Sequence, residues 1–120
     1  MKRLVTGLIM SFALAGSASA ADDDDFQLKS AADLGDLCAA TDNVAAVHMC
    51  QGFLVGVHQM HQAIADSIGH GVYCLPTDGS VTRNTAQADF AAWMLANPGK
   101  GNMSARDGLL EWAGSTYPCR

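Results

Sequence analysis

The sequence predicts an all-α fold: a small up-and-down bundle of about four helices, stapled by two disulfide bonds. Apolar residues recur at three- and four-residue steps in four segments, which is the spacing of one helix face. Short connections rich in glycine, proline, asparagine or aspartate separate these segments. No segment shows the alternating pattern of a strand. Because short connections join antiparallel neighbours, the helices should run up and down in turn.

The first predicted helix runs from about Ser30 to Ala40. Ser30 can act as its N-cap, and Asp33 lies at the N3 position, where a carboxylate suits the positive end of a helix. The second predicted helix is longer, from about Val44 to Ile68. Its predicted core face has seven residues, with three more beside it: Val47, Cys50, Leu54, Val57, His61, Ile64 and Ile68, then Met49, Phe53 and Met60.

Small side chains form a separate stripe on the second helix around Gly52 and Gly56. A glycine inside a helix costs about 1 kcal/mol relative to alanine. A close contact with another helix, within the subunit or across a dimer, would offset that cost. The stripe therefore predicts such a contact.

The third helix is predicted from about Arg83 to Ala96, with Thr82 or Thr85 as its cap. The fourth should run from about Ser104 to Thr116, with Ser104 and Asp107 at capping positions. Their predicted inward residues are Ala86, Phe90, Trp93, Met94 and Asn97 in the third helix, and Leu109, Leu110, Ala113 and Tyr117 in the fourth. Trp112 also falls at core spacing and is predicted to pack in the core, but it lies off the inward face, so partial exposure stays open as an alternative.

Residues 1–20 have the three parts of a secretory signal peptide: Lys2 and Arg3, an apolar core, and the run ASA before Ala21. Residues 21–29, with four consecutive aspartates, are predicted to be an acidic disordered tail, and residues 30–120 the folded domain. Without the signal, five basic residues face twelve acidic ones, a formal charge of −7. This charge argues against nucleic-acid binding, and no apolar stretch after the signal is long enough for a membrane anchor.

Four cysteines remain after the signal, an even number that is typical of disulfides in a short exported chain. Cys38 and Cys50 flank the first connection, at one end of the bundle. Cys74 follows the second helix and Cys119 the fourth, which places both at the other end. Of the three possible pairings, this geometry favours Cys38–Cys50 with Cys74–Cys119. An oxidising compartment such as a bacterial periplasm is therefore expected.

No arrangement of residues predicts catalysis. If the cysteines are paired, no thiol nucleophile remains, and the serine, zinc and phosphate-loop motifs are missing. His58 and His61 have a spacing that can chelate a metal, but they lie on different faces of the helix. The favoured interpretation has His61 hydrogen-bonded in the core and His58 solvated, with no metal or other cofactor. A metal or haem carrier stays as a weaker alternative.

Several runs resemble one known family when they are taken together. The run CQGFLVGV at residues 50–57 resembles its C-x-G-aromatic-x-x-G-V helix, and YCLP at 73–76 resembles its cysteine–proline turn. The helix that ends at Pro98, the terminal YPC at 117–119 and the upstream Cys38 complete the pattern. The chain resembles the Rap/Tai-type immunity proteins of bacterial type VI secretion systems over about residues 34–119.

That resemblance implies a helical periplasmic protein that binds an injected peptidoglycan amidase and occludes its cleft, often as a homodimer. Export, disulfides and the lack of catalytic residues agree with a non-catalytic inhibitor. Two alternatives are a small periplasmic acid-stress chaperone and another helical interaction protein. The low lysine content and the two expected disulfides argue against the chaperone.

Two exposed connections could enter the cleft of a partner, residues 73–82 and residues 97–103. The second, between the third and fourth helices, is the favoured partner-binding segment. Pro98 restricts its backbone, so binding should order it at a small entropic cost. Polar side chains there stand out on an otherwise acidic surface. The predicted contact residues are Asn97, Lys100, Asn102 and Met103.

Overall fold

The computed structural model describes residues 21–120, and the predicted signal peptide lies outside them. Within this part the chain is helical and contains no strand. The four α-helices are α1 (Ala31–Ala39), α2 (Val44–Ile68), α3 (Arg83–Ala96) and α4 (Ala105–Thr116). Two 3₁₀ turns, Asp25–Gln27 and Pro98–Lys100, precede α1 and α4. The predicted all-α fold is confirmed.

Each α-helix is preceded by a residue whose side chain caps it. Ser30 and Thr82 form reciprocal capping boxes with the residues three positions on. Asn43 and Ser104 accept hydrogen bonds from the first turns of α2 and α4. Since these caps satisfy backbone N–H groups that have no partner inside the helix, they fix the helix starts locally. The predicted bounds are correct to within one residue.

The short helix α1 lies at the centre and contacts each of the other three α-helices. Leu34 and Leu37 are fully buried. Two glycines let the neighbouring helices approach α1 closely. A Cβ at Gly108 of α4 would lie 2.4 Å from Cβ of Ala31, and a Cβ at Gly35 would lie 3.0 Å from Met94. These two glycines are the positions where close helix packing occurs.

Gly52 and Gly56 do not have that role within the subunit. Both are exposed, and a Cβ added to either would meet no other atom within 4 Å. The contact predicted for the stripe is therefore not made within the subunit, and a contact across a dimer stays a prediction. The prediction that α2 has a core face along its whole length is wrong for its C-terminal half, because Ile64 and Ile68 are more than half exposed. This half of the helix extends past the short α1.

The disulfides are Cys38–Cys50 and Cys74–Cys119, as the bundle geometry predicted. The first is buried between α1 and α2. The second is exposed and ties the connection after α2 to the end of α4, next to a backbone hydrogen bond from Cys74 to Tyr117 O. The described residues contain no free cysteine.

The aromatic core lies between α3 and α4. Phe90 is fully buried and meets Trp112 edge to face, with ring centroids 5.6 Å apart. Trp112 also packs edge to face on Tyr117. The predicted core position of Trp112 is confirmed, since only 5% of it is accessible, and the alternative of partial exposure does not hold.

Residues 21–29 also differ from the prediction of a disordered tail. Asp25 is buried and its carboxylate accepts a hydrogen bond from the backbone N–H of Asp22. Phe26 and Leu28 pack against the core. Burial of these two apolar side chains stabilises the packing of the acidic run against α1.

Candidate functional site

The segment from Asn97 to Met103, between α3 and α4, is a hydrogen-bonded turn. The side-chain amide of Asn97 donates to Trp93 O at 2.8 Å, and its backbone N–H donates to Met94 O at 3.1 Å. Asn97 O then accepts from the N–H of Lys100, and Pro98 O accepts from the N–H of Gly101. The turn thus has a defined shape, as Pro98 predicts.

The same turn is attached to the start of α1. Ala31 N–H donates to Met103 O at 2.8 Å, and Ala32 N–H donates to Gly101 O at 3.1 Å. First-turn N–H groups have no partner within their own helix, so the turn supplies the missing acceptors. A Cβ at Gly101 would lie 3.1 Å from Cβ of Ala32, so this approach requires a small residue.

The structure gives the four predicted contact residues different surroundings. Asn97 is committed to capping α3, and the ammonium of Lys100 pairs with the carboxylate of Glu111 on α4. Met103 is half-buried against the core. Asn102 is exposed, and its side chain makes no hydrogen bond within residues 21–120. Asn102 is therefore the member of the set most open to a partner.

An apolar groove of about 420 Å³ adjoins this turn, between α1 and α3. Pro98 and Gly101 line the end nearest the turn, and Leu95 lies along the groove with 85% of its surface exposed. Alanines and glycines make up most of the lining: Ala32, Gly35, Ala39, Ala91, Ala92 and Gly101. The sequence did not predict this groove. It forms where small residues of α1 and α3 face each other, and the sequence does not show that these two helices are in contact.

Asp36 is the ionisable residue that lines the groove. Partial burial raises its pKa, and the negative charges of Asp25, Asp33 and Asp22 raise it further. The two ion pairs within the described residues are Lys100–Glu111 and Arg106–Asp107, so Asp36 has no cationic partner there. The groove thus combines an apolar surface with an unbalanced carboxylate.

His58 and His61 stabilise the connection after α2. His61 stacks on Tyr73 with ring centroids 3.9 Å apart, and its Nε2 accepts from the N–H of Val72 at 3.0 Å. His58 Nδ1 lies 2.9 Å from the Tyr73 hydroxyl, so the predicted solvated role of His58 is wrong. Burial, and then the nearby His61, lower the pKa of His58. Burial raises the pKa of Tyr73 to about 12.

These contacts favour a structural role for both histidines. No group of three or more histidine, cysteine, aspartate or glutamate side chains that could hold a metal occurs within residues 21–120. None of the helices in this range is long and apolar enough to cross a membrane.

Comparison with protein-family models assigns this fold and its disulfides to a family. The model of the Rap1a immunity proteins matches residues 30–119, which include all four α-helices and all four cysteines. The chain belongs to the Rap1a immunity protein family. Searches of curated proteins and of solved structures found no significant match.

Membership of the Rap1a family supports a role as an immunity protein, and such a role implies a protein effector as the partner. The match begins at the Ser30 cap and ends at Cys119, one of the two cysteines that close the second disulfide. It therefore includes the turn at residues 97–103 and all the helical residues that line the groove.

Proposed function

We propose that this protein is exported and inhibits a peptidoglycan amidase effector by binding over its catalytic cleft, with no turnover of its own. Membership of the Rap1a immunity family is the observation that carries the proposal. Two disulfides in a domain of this size favour an oxidising compartment such as the periplasm, where the substrate of such an amidase lies. The signal-like residues 1–20 agree with that location.

The turn at residues 97–103 has the properties of an inhibitory element. Its hydrogen bonds to α1 and to Trp93 fix its backbone before binding, so little conformational entropy is lost when it enters a cleft. Asn102 offers an unpaired amide there, with both donors and an acceptor available. We propose that Asn102 makes the central polar contact. Asn97, Lys100 and Met103 hold the turn in place.

Co-expression tests this role. The exported protein should prevent lysis by a periplasmic amidase encoded beside it, and Asn102→Glu should weaken both protection and binding by tenfold or more, because a buried unpaired carboxylate is costly. Gln62→Glu on α2 is the matched control, since it makes the same change of charge at an exposed position.

Two results would contradict the proposal. The amidase assignment fails if the wild-type protein neither binds nor protects against any cell-wall hydrolase that is encoded beside it. Full protection by Asn102→Glu would show that the turn lies outside the interface.

We also propose that the exposed stripe on α2 joins two copies of the chain. Gly52 and Gly56 offer a smooth surface, and Met49 and Met60 beside them are exposed apolar side chains. Gly56→Leu should convert a dimer to a monomer in analytical ultracentrifugation. Because a side chain there meets nothing within the subunit, the fold should stay intact by circular dichroism. A wild-type monomer at high concentration would refute this contact.

A further inference from the structure

The groove between α1 and α3 is an unfilled apolar surface beside the inhibitory turn. Its small residues leave a depression of about 420 Å³, and Leu95 stands exposed along it. Leu95 is the most exposed of the large apolar side chains in the described residues. No other part of the described chain fills the groove, so an apolar side chain from a partner could enter it.

The charge around the groove indicates which partner fits. Asp36 lines it, and Asp22, Asp25 and Asp33 are near enough to raise its pKa. Asp25 and Asp33 already accept backbone hydrogen bonds, whereas the side chain of Asp36 accepts none within residues 21–120. A cation placed beside Asp36 would relieve its repulsion from three neighbouring carboxylates.

From this geometry we propose that the groove receives a segment of the effector in which an arginine or lysine is next to a large apolar side chain. The apolar side chain packs on Leu95 and the alanines, and the cation pairs with Asp36. Arginine fits best, because its planar guanidinium can make two parallel hydrogen bonds to a carboxylate. The inference rests on the proposed function for the identity of the partner, while the chemistry of the groove can be tested without it.

The first experiment therefore uses a peptide probe. A short acetylated peptide that carries leucine followed by arginine is titrated into the isotope-labelled protein and followed by NMR. The backbone amides of Gly35, Asp36 and Leu95 should shift, and Asp36→Asn should lower the affinity roughly twofold to fivefold, the effect of one partly exposed ion pair. A peptide with glutamate in place of arginine should not cause these shifts. Equal shifts with both peptides, or shifts confined to other residues, would overturn the proposal.

The second experiment uses the amidase that is encoded beside this protein. Leu95→Ser and Asp36→Asn should each raise the dissociation constant of the complex, whereas Ile68→Ser and Asp66→Asn, exposed positions on α2, should leave it unchanged. Unchanged binding by both groove variants would overturn the inference while the proposed function stands. A wild-type protein that binds the peptide but no amidase would refute the proposed function alone. Loss of a dimer on Leu95→Ser would show that a second copy covers the groove, and would overturn the inference.

Discussion

Gly108 and Gly56 are both helix-interior glycines, but their surroundings differ completely. Gly108 faces Ala31 across the contact of α4 with α1, while Gly56 faces open space. Glycine lowers helix propensity at either position. Within the subunit, only Gly108 has a close approach of another helix to offset that cost, so in the monomeric protein the same substitution should have opposite effects at the two sites.

Gly108→Ala should lower the free energy of unfolding by about 1–3 kcal/mol, because the new Cβ would lie 2.4 Å from Cβ of Ala31 and would force the two helices apart. Gly56→Ala should instead raise it by about 0.5–1 kcal/mol through helix propensity. Urea denaturation of both variants measures the difference. Equal effects at the two positions would show that α4 does not contact α1 as described.

The helices show which features a single sequence can predict. Their starts were correct because Ser30, Thr82 and Ser104 act on backbone groups within three residues, and that information is local. The buried half of α2 was overestimated because burial depends on the length of its neighbours. At about 1.5 Å per residue, the 25 residues of α2 extend far beyond the 9 residues of α1.

The candidate site was predicted only in part, for a similar reason. Proline and glycine signals locate the turn at residues 97–103, since they act through the local backbone. The groove depends on the contact of α1 with α3, which are far apart in sequence, and on the position of Asp36 relative to the acidic run. Neither pairing has a local signal, so the periodicity of each helix alone did not indicate it.

The two disulfides stabilise different elements. Removing each of them should therefore lower the free energy of unfolding by a different amount. On chain entropy alone, the loop closed by Cys74–Cys119 contributes about 4 kcal/mol and that of Cys38–Cys50 about 3 kcal/mol. Cys38 and Cys50 are also buried in the core, so their removal leaves a cavity as well.

We therefore expect the double variant Cys38→Ala with Cys50→Ala to be less stable than Cys74→Ala with Cys119→Ala, in spite of its shorter loop. Thermal unfolding followed by circular dichroism gives the order. If the stabilities follow loop length instead, the core around Cys38 must close without a cavity.

On the scale of the whole molecule, repulsion among carboxylates opposes folding. Residues 21–120 carry twelve acidic and five basic side chains, and only two ion pairs form among them. Much of the excess charge lies near the α1 end, where Asp22, Asp25 and Asp33 act on Asp36. This negative surface potential would raise the association rate of an immunity protein with a cationic effector, because opposite charges attract the two proteins before contact.

Salt should therefore stabilise the free protein. Raising NaCl from about 10 mM to about 300 mM shortens the Debye length from roughly 30 Å to below 8 Å, which screens repulsion among the acidic groups. The melting temperature should rise over this range. Asp36→Asn should raise it at low salt and make the rise with salt smaller, since it removes the carboxylate on which three others act. Asp66→Asn, an exposed position on α2, is the control for a general loss of one charge. If both variants respond to salt alike, the repulsion is spread over the whole surface and is not concentrated at the groove.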